Sequence, residues 1–330
     1  MKRLLLVALF ALACAAQELR VYAIDVEGGK ATLYVSPNGQ SMLLDTGYDG
    51  FQNRDADRIV AAAKAAGVAQ IDYLVITHYH ADHVGGVAQL AAKMPIGTFV
   101  DHGKNFETLK DVGEVVGKYE AARAKGKHIV VQAGDRIPIG GIDVEVVTAS
   151  GKSIRKPLPG AGQPNPLCAG YRPIEADGGE NSYSIGVVIA YGKFRLADLG
   201  DLHWNRERDL ACPNNLLGTV DVYMTTHHAK KTSGAPAMVQ ALRPKAAIMN
   251  NGPKTGGDAP AWQTIHESPG TPDIWQLHYA LNNDAAHNAP DEFIANRSED
   301  CTGNWIRLAA KADGSFTIEN GRNRMEKVYR

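Results

Sequence analysis

Four metal-ligating side chains within six residues constrain this chain more than any other feature of its sequence. Leu74 to Ile76 form a short β-branched apolar run, which predicts a buried strand. The four side chains, His78, His80, Asp82 and His83, follow almost directly. Imidazole nitrogen and carboxylate oxygen suit zinc, manganese or iron, and alternation places the first two imidazoles on one side of the chain. The run therefore predicts a metal site at a rigid strand end, where Asp82 and His83 serve a second metal or orient the first.

The composition is that of a globular protein, with 44% hydrophobic and 22% charged residues. The formal net charge of −1 gives the whole chain no basic character of the kind that favours nucleic acid. We therefore expect a small molecule or an anionic ester as the substrate, with nucleic acid as the less favoured partner. The sequence has no G-x-S-x-G elbow and no P-loop, which argues against a serine hydrolase and a nucleotide kinase.

The first 16 residues have the pattern of an export signal. A basic pair is followed by an apolar run over 4–12 and by small residues over 13–16. The apolar run is too short to span a bilayer. We expect a signal peptide over 1–16, no membrane span after its cleavage, and a periplasmic or secreted protein. A lipoprotein signal ending at Cys14 is the alternative.

Three cysteines follow the predicted signal: Cys168, Cys212 and Cys301. In an oxidising compartment one pair would form a disulfide and leave one thiol over. The sequence does not identify the pair. None of the three lies in a C-x-x-C spacing, which argues against a cysteine zinc site.

The stretch THYHADHVGG resembles the metal loop of the metallo-β-lactamase superfamily. The opening IDVEGGKATLYV…SMLLDTG resembles one branch of it, typified by the hydrolase-like domain of the bacterial DNA-uptake channel. Glu27-Gly28-Gly29-Lys30 stands where that branch usually has G-Q-G-D. The resemblance covers nearly all of the mature chain and implies an α+β fold, a four-layer αβ/βα sandwich, as a single domain over 17–330. The order of predicted strands and helices independently indicates two sheets with helices outside.

Two further motifs resemble elements of the superfamily. LGDL resembles the step whose carboxylate bridges two metals, which implies that role for Asp201, with Asp198 as the alternative. HHAKKTS resembles the H-H-G-S element, whose His completes the second metal. His228 directly precedes the small residue and is the preferred ligand, so His227 would hydrogen-bond the substrate. Ala229 replaces the usual Gly.

The metal set that the resemblance implies is asymmetric. Many branches supply a third His to the first metal, and the matching position falls in Glu180-Asn181-Ser182, where Asn181 offers only a neutral amide oxygen. We expect two divalent ions of unequal affinity, zinc first and manganese as the alternative. The implied ligands are His78, His80 and Asp201 for the first metal, and Asp82, His83, Asp201 and His228 for the second.

Two residues at predicted strand ends have open roles. Asp45 either caps the turn that follows it or orients a metal-ligating His. His102 either forms a wall of the substrate pocket or lies in a surface turn. Asn181 and His102 are accordingly our candidates for substrate contact on this side of the site.

Cationic side chains provide the clue to the substrate. Lys230 and Lys231 directly follow the implied ligands. Lys152, Arg155 and Lys156 lie in an irregular Gly- and Pro-rich segment that we expect to cover the cleft. If these side chains face the site rather than solvent, they favour an anionic substrate.

The expected chemistry follows from the two ions. A water shared between them has its pKa lowered from ~16 towards ~7, and the resulting hydroxide attacks a carbonyl or phosphoryl centre. Asp82 would orient this nucleophile and accept its proton. We therefore expect an exported metal-dependent hydrolase acting on a phosphoester or phosphodiester. The alternatives are a lactone, thioester or β-lactam hydrolase, and a non-catalytic exported metal- or ligand-binding protein.

Overall fold

The computed structural model describes residues 17–106, 110–270 and 272–330, and the predicted signal peptide over 1–16 lies outside them. The strands are β1 Leu19–Ala23, β2 Thr32–Val35, β3 Ser41–Leu44, β4 Ile71–Val75, β5 Ile96–Asp101, β6 Lys127–Val130, β7 Asp143–Ala149, β8 Lys152–Ser153, β9 Gly186–Tyr191, β10 Phe194–Asp198, β11 Val222–Met224, β12 Ala246–Met249, β13 Asp273–His278, β14 Ile294–Asn296, β15 Ile306–Ala310, β16 Phe316–Asn320 and β17 Glu326–Tyr329. The α-helices are α1 Arg54–Ala65, α2 Ala81–Val84, α3 Val87–Ala91, α4 Lys110–Arg123, α5 Trp204–Ala211, α6 Pro236–Leu242 and α7 Ala259–His266.

The strands form two mixed sheets with similar internal plans. The first has the order β17-β16-β15-β1-β2-β3-β4-β5-β6, and the second β14-β13-β12-β11-β10-β9-β7-β8. In the first sheet the strands from β3 to β6 run parallel, and in the second those from β10 to β14 do. The carboxyl ends of parallel strands meet at one edge of a sheet. The segments that follow β4, β10 and β11 carry most of the candidate ligands.

Three apolar layers separate the helices and sheets. Met42 and Leu44 point into the layer between the two sheets, whereas Leu43 between them points into the layer under the helices of the first sheet. This alternation follows from the two-residue period of a strand, and the strand reads as continuously apolar because both faces are covered. A third layer packs α5, α6 and α7 on the second sheet. The predicted four-layer sandwich is confirmed.

One disulfide joins Cys168 to Cys212, and Cys301 is a free thiol. The bridge ties the irregular segment after β8 to the end of α5. Within the part of the chain that the structure describes, no helix is both long and apolar enough to cross a membrane.

Candidate metal centre

The loop after β4 is shaped by a neighbouring strand. Asp45 follows β3, which pairs in parallel with β4. Its carboxylate accepts hydrogen bonds from the backbone N–H and the hydroxyl of Thr77, both at 2.8 Å. This contact turns the chain at the strand end, after which the short helix α2 carries Asp82 and His83 towards the second sheet.

Four donor atoms from both sheets meet beside α2. Asp82, His83, Asp201 and His228 each bring one ligand atom to within 4.8 Å of the others. Distances of 3.1 to 3.6 Å join His83 Nε2 and His228 Nε2 to each other and to Oδ2 of Asp82 and of Asp201. A tetrahedron with edges of about 3.3 Å has its centre about 2.0 Å from each corner, which is the length of a zinc–nitrogen or zinc–oxygen bond. The donor set and its spacing therefore fit a divalent ion such as zinc.

Both imidazoles in this group are oriented from behind. Asp45 Oδ2 lies 2.8 Å from His83 Nδ1, and the backbone carbonyl of Asn250 lies 3.3 Å from His228 Nδ1. An Nδ1–H that donates to an oxygen leaves the Nε2 lone pair directed at the centre of the group. Of the two roles open for Asp45, the geometry provides the one that orients a His.

The four groups are strongly coupled electrostatically. Burial alone would raise the pKa of Asp82 and Asp201, but His83 and His228 lie against both carboxylates and hold their pKa values below the ordinary range. Burial would likewise lower the pKa of His83 and His228, but the facing Asp201 and Asp82 raise both. Asp201 Oδ1 is buried and has no hydrogen-bond partner among the described residues. An oxygen left in this state is suited to a second ion.

His78 and His80 lie on the other side of His83. The ring centroids of His78 and His83 are 4.1 Å apart, and His78 Nε2 lies 3.0 Å from His80 Nδ1. Burial lowers the pKa of His78 far below its ordinary value, so its ring is neutral and able to ligate. Asn181 Oδ1 is buried and unpartnered among the described residues, while its Nδ2 lies 3.3 Å from His203 Nε2.

His227 and His203 form a stacked pair at the rim of the group. Their ring centroids are 4.7 Å apart, and His227 Nε2 lies 3.8 Å from Asp201 Oδ2. Burial lowers the pKa of His227 to about 3, so the ring is neutral. The structure thus places His228 inside the group of four and His227 beside it. His203 was not predicted, and its position two residues after Asp201 was the only signal that the sequence offered.

The loop over 27–30, which differs from the G-Q-G-D of the branch it resembles, holds Asp198, the alternative bridging residue, in place. Lys30 is wholly buried, and its ammonium is paired with the carboxylate of Asp198. Tyr34 donates its hydroxyl to the other oxygen of Asp198 at 2.8 Å. Because both carboxylate oxygens are engaged there, Asp198 lies outside the group of donors and Asp201 lies within it.

His102 lies in the interior behind the metal loop. Its Nε2 lies 3.1 Å from Glu180 Oε2, its ring packs 4.7 Å from that of Tyr79, and its side chain has no exposed surface. Neither of the positions considered from the sequence, a pocket wall or a surface turn, matches this placement. A buried side chain engaged by Glu180 is a support for the loop.

The cationic side chains separate into three positions. Lys230 is half-buried, and its charge acts on His227 and His203. Lys231 is exposed, and its backbone N–H donates to Asp258. The basic residues of the irregular segment line a separate surface cavity of about 550 Å³ with Gln132 and Glu145, and that cavity includes none of the donor residues. The basic residues of this lining are Lys152, Arg155 and Lys156. Their position does not support the expectation that they cover the cleft.

The turn that carries the second pair of imidazoles is strained. His227, His228 and Ala229 all have left-handed backbone angles, with φ of 49°, 55° and 60°. Residues other than glycine adopt this region at an energetic cost, and such strain clusters at functional sites. Gly256 packs against the turn so closely that an added Cβ would lie 2.0 Å from the carbonyl oxygen of His228.

Comparison with known proteins gives one family and several relatives. Residues 24–160 match the metallo-beta-lactamase superfamily. ComE operon protein 3 of Bacillus subtilis is 25% identical over 268 residues, 74% of this chain and 30% of that protein. Hydroxyacylglutathione hydrolase of Rhodopseudomonas palustris is 29% identical over 100 residues, covering 30% and 32%. Ribonuclease Z of Methanopyrus kandleri is 30% identical over 120 residues, covering 34% and 37%. The chain spans about a third of the length of these curated relatives.

Proposed function

This chain contains a metallo-beta-lactamase superfamily domain, and on that premise we propose that it is a metal-dependent hydrolase. The observation that carries the proposal is the meeting of Asp82, His83, Asp201 and His228 at distances that fit a divalent ion. Two of its relatives carry the name of a hydrolase or a ribonuclease, which supports the same conclusion.

We propose a site for two ions, with His78, His80 and Asp201 serving the first. The unpartnered Oδ1 of Asp201 supports this arrangement, because its Oδ2 already faces the group of four. Asn181 would present an amide oxygen where many branches of the superfamily have a third His. An amide is a weaker ligand than imidazole for zinc, so the first ion would be the weaker of the two.

The bound ions would supply an activated water and neutralise the charge that develops on the substrate. Asp82 would orient the attacking water and accept its proton, because its carboxylate is held in the ionised form at the mouth of the group. The neutral ring of His227, with Nδ1 3.3 Å from the hydroxyl of Thr232, would offer Nε2 to the substrate.

A phosphoester or phosphodiester is our proposed substrate. The half-buried Lys230 supports it, because a cation beside His227 attracts an anionic group. The name of the ribonuclease relative points the same way. A lactone, thioester or β-lactam is the second candidate, and the name of the hydroxyacylglutathione hydrolase relative favours a hydrolase of that kind.

The test is a substrate panel on protein of known metal content. We expect zinc- or manganese-loaded protein to hydrolyse bis-p-nitrophenyl phosphate in preference to nitrocefin and a set of lactones. Asp82→Asn should remove most of this turnover while keeping the fold. If the protein prefers a neutral ester, the lactone, thioester or β-lactam would replace the phosphoester as the proposed substrate. Bound metal without turnover on any ester would identify a non-catalytic binding protein.

The inequality of the two ions has a test of its own. Titration of metal-free protein with zinc and with manganese should show two unequal affinities that are both lost in Asp201→Ala, with the weaker one raised by Asn181→His. Two equally tight zinc ions that are both lost in Asp201→Ala would refute the asymmetric site.

We also propose that the protein is exported to the periplasm or secreted. The disulfide between Cys168 and Cys212 supports this, because such bonds persist in oxidising compartments. N-terminal sequencing of the protein from its native host should give a chain that starts near Gln17. A lipid-modified Cys14 at the N-terminus would indicate a lipoprotein instead.

A further inference from the structure

A second group of ligating side chains lies outside the metal centre and shares no residue with it. Asp25 follows β1 of the first sheet, His278 ends β13 of the second, and Cys301 lies between β14 and β15. One donor atom from each lies within 4.8 Å of the others. Asp25 Oδ1 is 2.7 Å from His278 Nε2, and Asp25 Oδ2 is 3.4 Å from Cys301 Sγ.

We infer that Asp25, His278 and Cys301 form a binding site for one divalent cation of the zinc type. A thiolate, an imidazole and a carboxylate are ligands of zinc, and soft sulfur selects zinc over magnesium or calcium. Three protein ligands leave a fourth tetrahedral position for water. The isolated Cys301 gave no signal of such a site in the sequence, because its partners come from strands at distant positions.

Access and orientation both favour an ion here. Asp25 and His278 are fully buried, whereas Cys301 is partly exposed and opens the group to solvent. Arg58 Nη1 donates to Asp25 Oδ2 at 2.9 Å. This contact fixes the carboxylate with its Oδ1 towards His278, in the way that partners behind a metal site orient its ligands.

The charge balance around the group also favours a cation. Arg58 lies 3.7 Å from the sulfur, which by itself opposes a bound cation. However, the charges of Arg58 and Arg54 are both paired with acids, through Asp25, Glu27 and Asp55. In the metal-bound form, with His278 neutral and Cys301 a thiolate, the three carboxylates, the thiolate and the two guanidinium groups would leave two negative charges. A divalent ion would neutralise this charge.

The site would fasten the two sheets together. Asp25 and His278 are 253 residues apart in sequence; Asp25 follows a strand of the first sheet, whereas His278 ends a strand of the second. Asp25 Oδ1 and His278 Nε2 lie 2.7 Å apart, so a direct side-chain contact joins the sheets when no ion is bound. An ion that binds only the folded chain would replace this contact with a stronger link and raise the melting temperature.

The test uses cobalt(II) as the probe and the full chain with its disulfide intact. A thiolate bound to cobalt gives a charge-transfer absorption in the near ultraviolet, and the proposed hydrolytic centre contains no sulfur ligand. We expect this band when metal-free protein is titrated, and we expect zinc to abolish it by displacement. The band should persist in His228→Ala, which removes a ligand of the other centre. It should be absent from Cys301→Ser, which should also bind one zinc ion fewer.

A second measurement, the rate of alkylation of Cys301, uses the unmodified protein and so avoids variants that could misfold. Zinc should slow alkylation of Cys301 in the unmodified protein by about tenfold or more, because a metal-bound thiolate is a poor nucleophile. A charge-transfer band that survives Cys301→Ser would overturn the inference. The inference would also be overturned if the unmodified protein showed neither the charge-transfer band nor slower alkylation in zinc. Asp25 and His278 would then be a side-chain contact between the sheets and no metal site.

Discussion

The carboxylate of Asp45 determines which nitrogen of His83 faces the metal centre. Its Oδ2 lies 2.8 Å from His83 Nδ1, and its bonds to Thr77 hold it in that position. When a metal is bound, this contact would hold the imidazole with its proton on Nδ1 and its lone pair on Nε2. Asp45 is thus a positioning residue.

Replacing Asp45 by Asn should weaken metal binding without unfolding the protein. The Asn side chain has one accepting oxygen, so it cannot both accept from Thr77 and hold His83 Nδ1 firmly as a donor. We therefore expect the zinc affinity to fall about 10- to 100-fold. Competition with a chelator measures the change. Asp57→Asn is the control, because Asp57 is exposed and, among the described residues, forms an ion pair with Lys93 alone. Equal affinities in the two variants would contradict the role of Asp45.

The two adjacent lysines should differ in their effect on the substrate. Lys230→Ala should raise KM for a phosphodiester about 3- to 10-fold and leave a neutral ester unaffected, because only the anion loses Coulombic attraction. Lys231→Ala is the matched control, since its side chain is exposed. Steady-state kinetics on both substrates decide the matter. Similar losses on both substrates in Lys230→Ala would mean that the residue only supports the fold.

The residue types of the site were predictable, but their partners were not. Asp82 and His83 could be chosen because a ligand-rich run follows a buried strand. The role of Asp45 could not be decided, since an Asp after a strand is equally suited to cap a turn. Only the parallel pairing of β3 with β4 brings its carboxylate to His83.

At the level of elements, the turn with three left-handed residues depends on a glycine from another loop. Gly256 has φ of 73°, and the neighbouring Gly257 donates its N–H to the carbonyl of His228 at 2.8 Å. Ala229, which stands where the family usually has Gly, keeps a φ of 60°. Glycine adopts the left-handed region at the lowest cost, which fits the Gly of the H-H-G-S element that this turn resembles.

Replacing Gly256 by Ala should displace His228 and disrupt the metal centre. The new Cβ would meet the backbone of His228, which cannot move as a side chain can, so we expect a stability loss of about 2–4 kcal/mol and weaker zinc binding. Urea unfolding and zinc titration measure both. Gly117→Ala in α4 is the control, because its Cβ would meet open space and should gain up to about 1 kcal/mol. Normal zinc binding by Gly256→Ala would show that the turn tolerates the change.

The positions of the elements were more predictable than their conformations. The buried strand before the metal loop was expected from its apolar run, and β4 is there. The left-handed turn was not predictable, because His227 and His228 have no intrinsic preference for it. It is imposed by the packing of Gly256 and by hydrogen bonds from a loop almost 30 residues away.

For the whole molecule, the layers could be predicted and the covalent link could not. The order of strands and helices indicated two sheets between helices, as observed. The pairing of Cys168 with Cys212 depends on how the irregular segment crosses to the end of α5. No periodic pattern encodes that path.

Removing the disulfide should destabilise the fold but spare the metal centre. The bridge closes a loop between residues 44 positions apart, so loop-closure entropy predicts a loss of up to about 4 kcal/mol in the double variant Cys168→Ala/Cys212→Ala. Urea unfolding measures the loss, and zinc titration should give an unchanged affinity for the tight ion. A double variant as stable as the parent would mean that the bridge adds nothing to the folded state.

The position of β1 in the first sheet determines when that sheet can be completed during synthesis. β1 pairs with β2 on one side and with β15 on the other, so Leu19 and Ala310 are partners although about 290 residues separate them. Until the ribosome has made β15, the open edge of β1 and the apolar face beside it remain exposed. Pairing across such a distance is also slow. We expect a chain that ends after β14 to remain sensitive to protease, and resistance at that length would contradict this order of events. Late closure of this kind would suit the export that we propose, because the sheet would stay incomplete until β15 has been made.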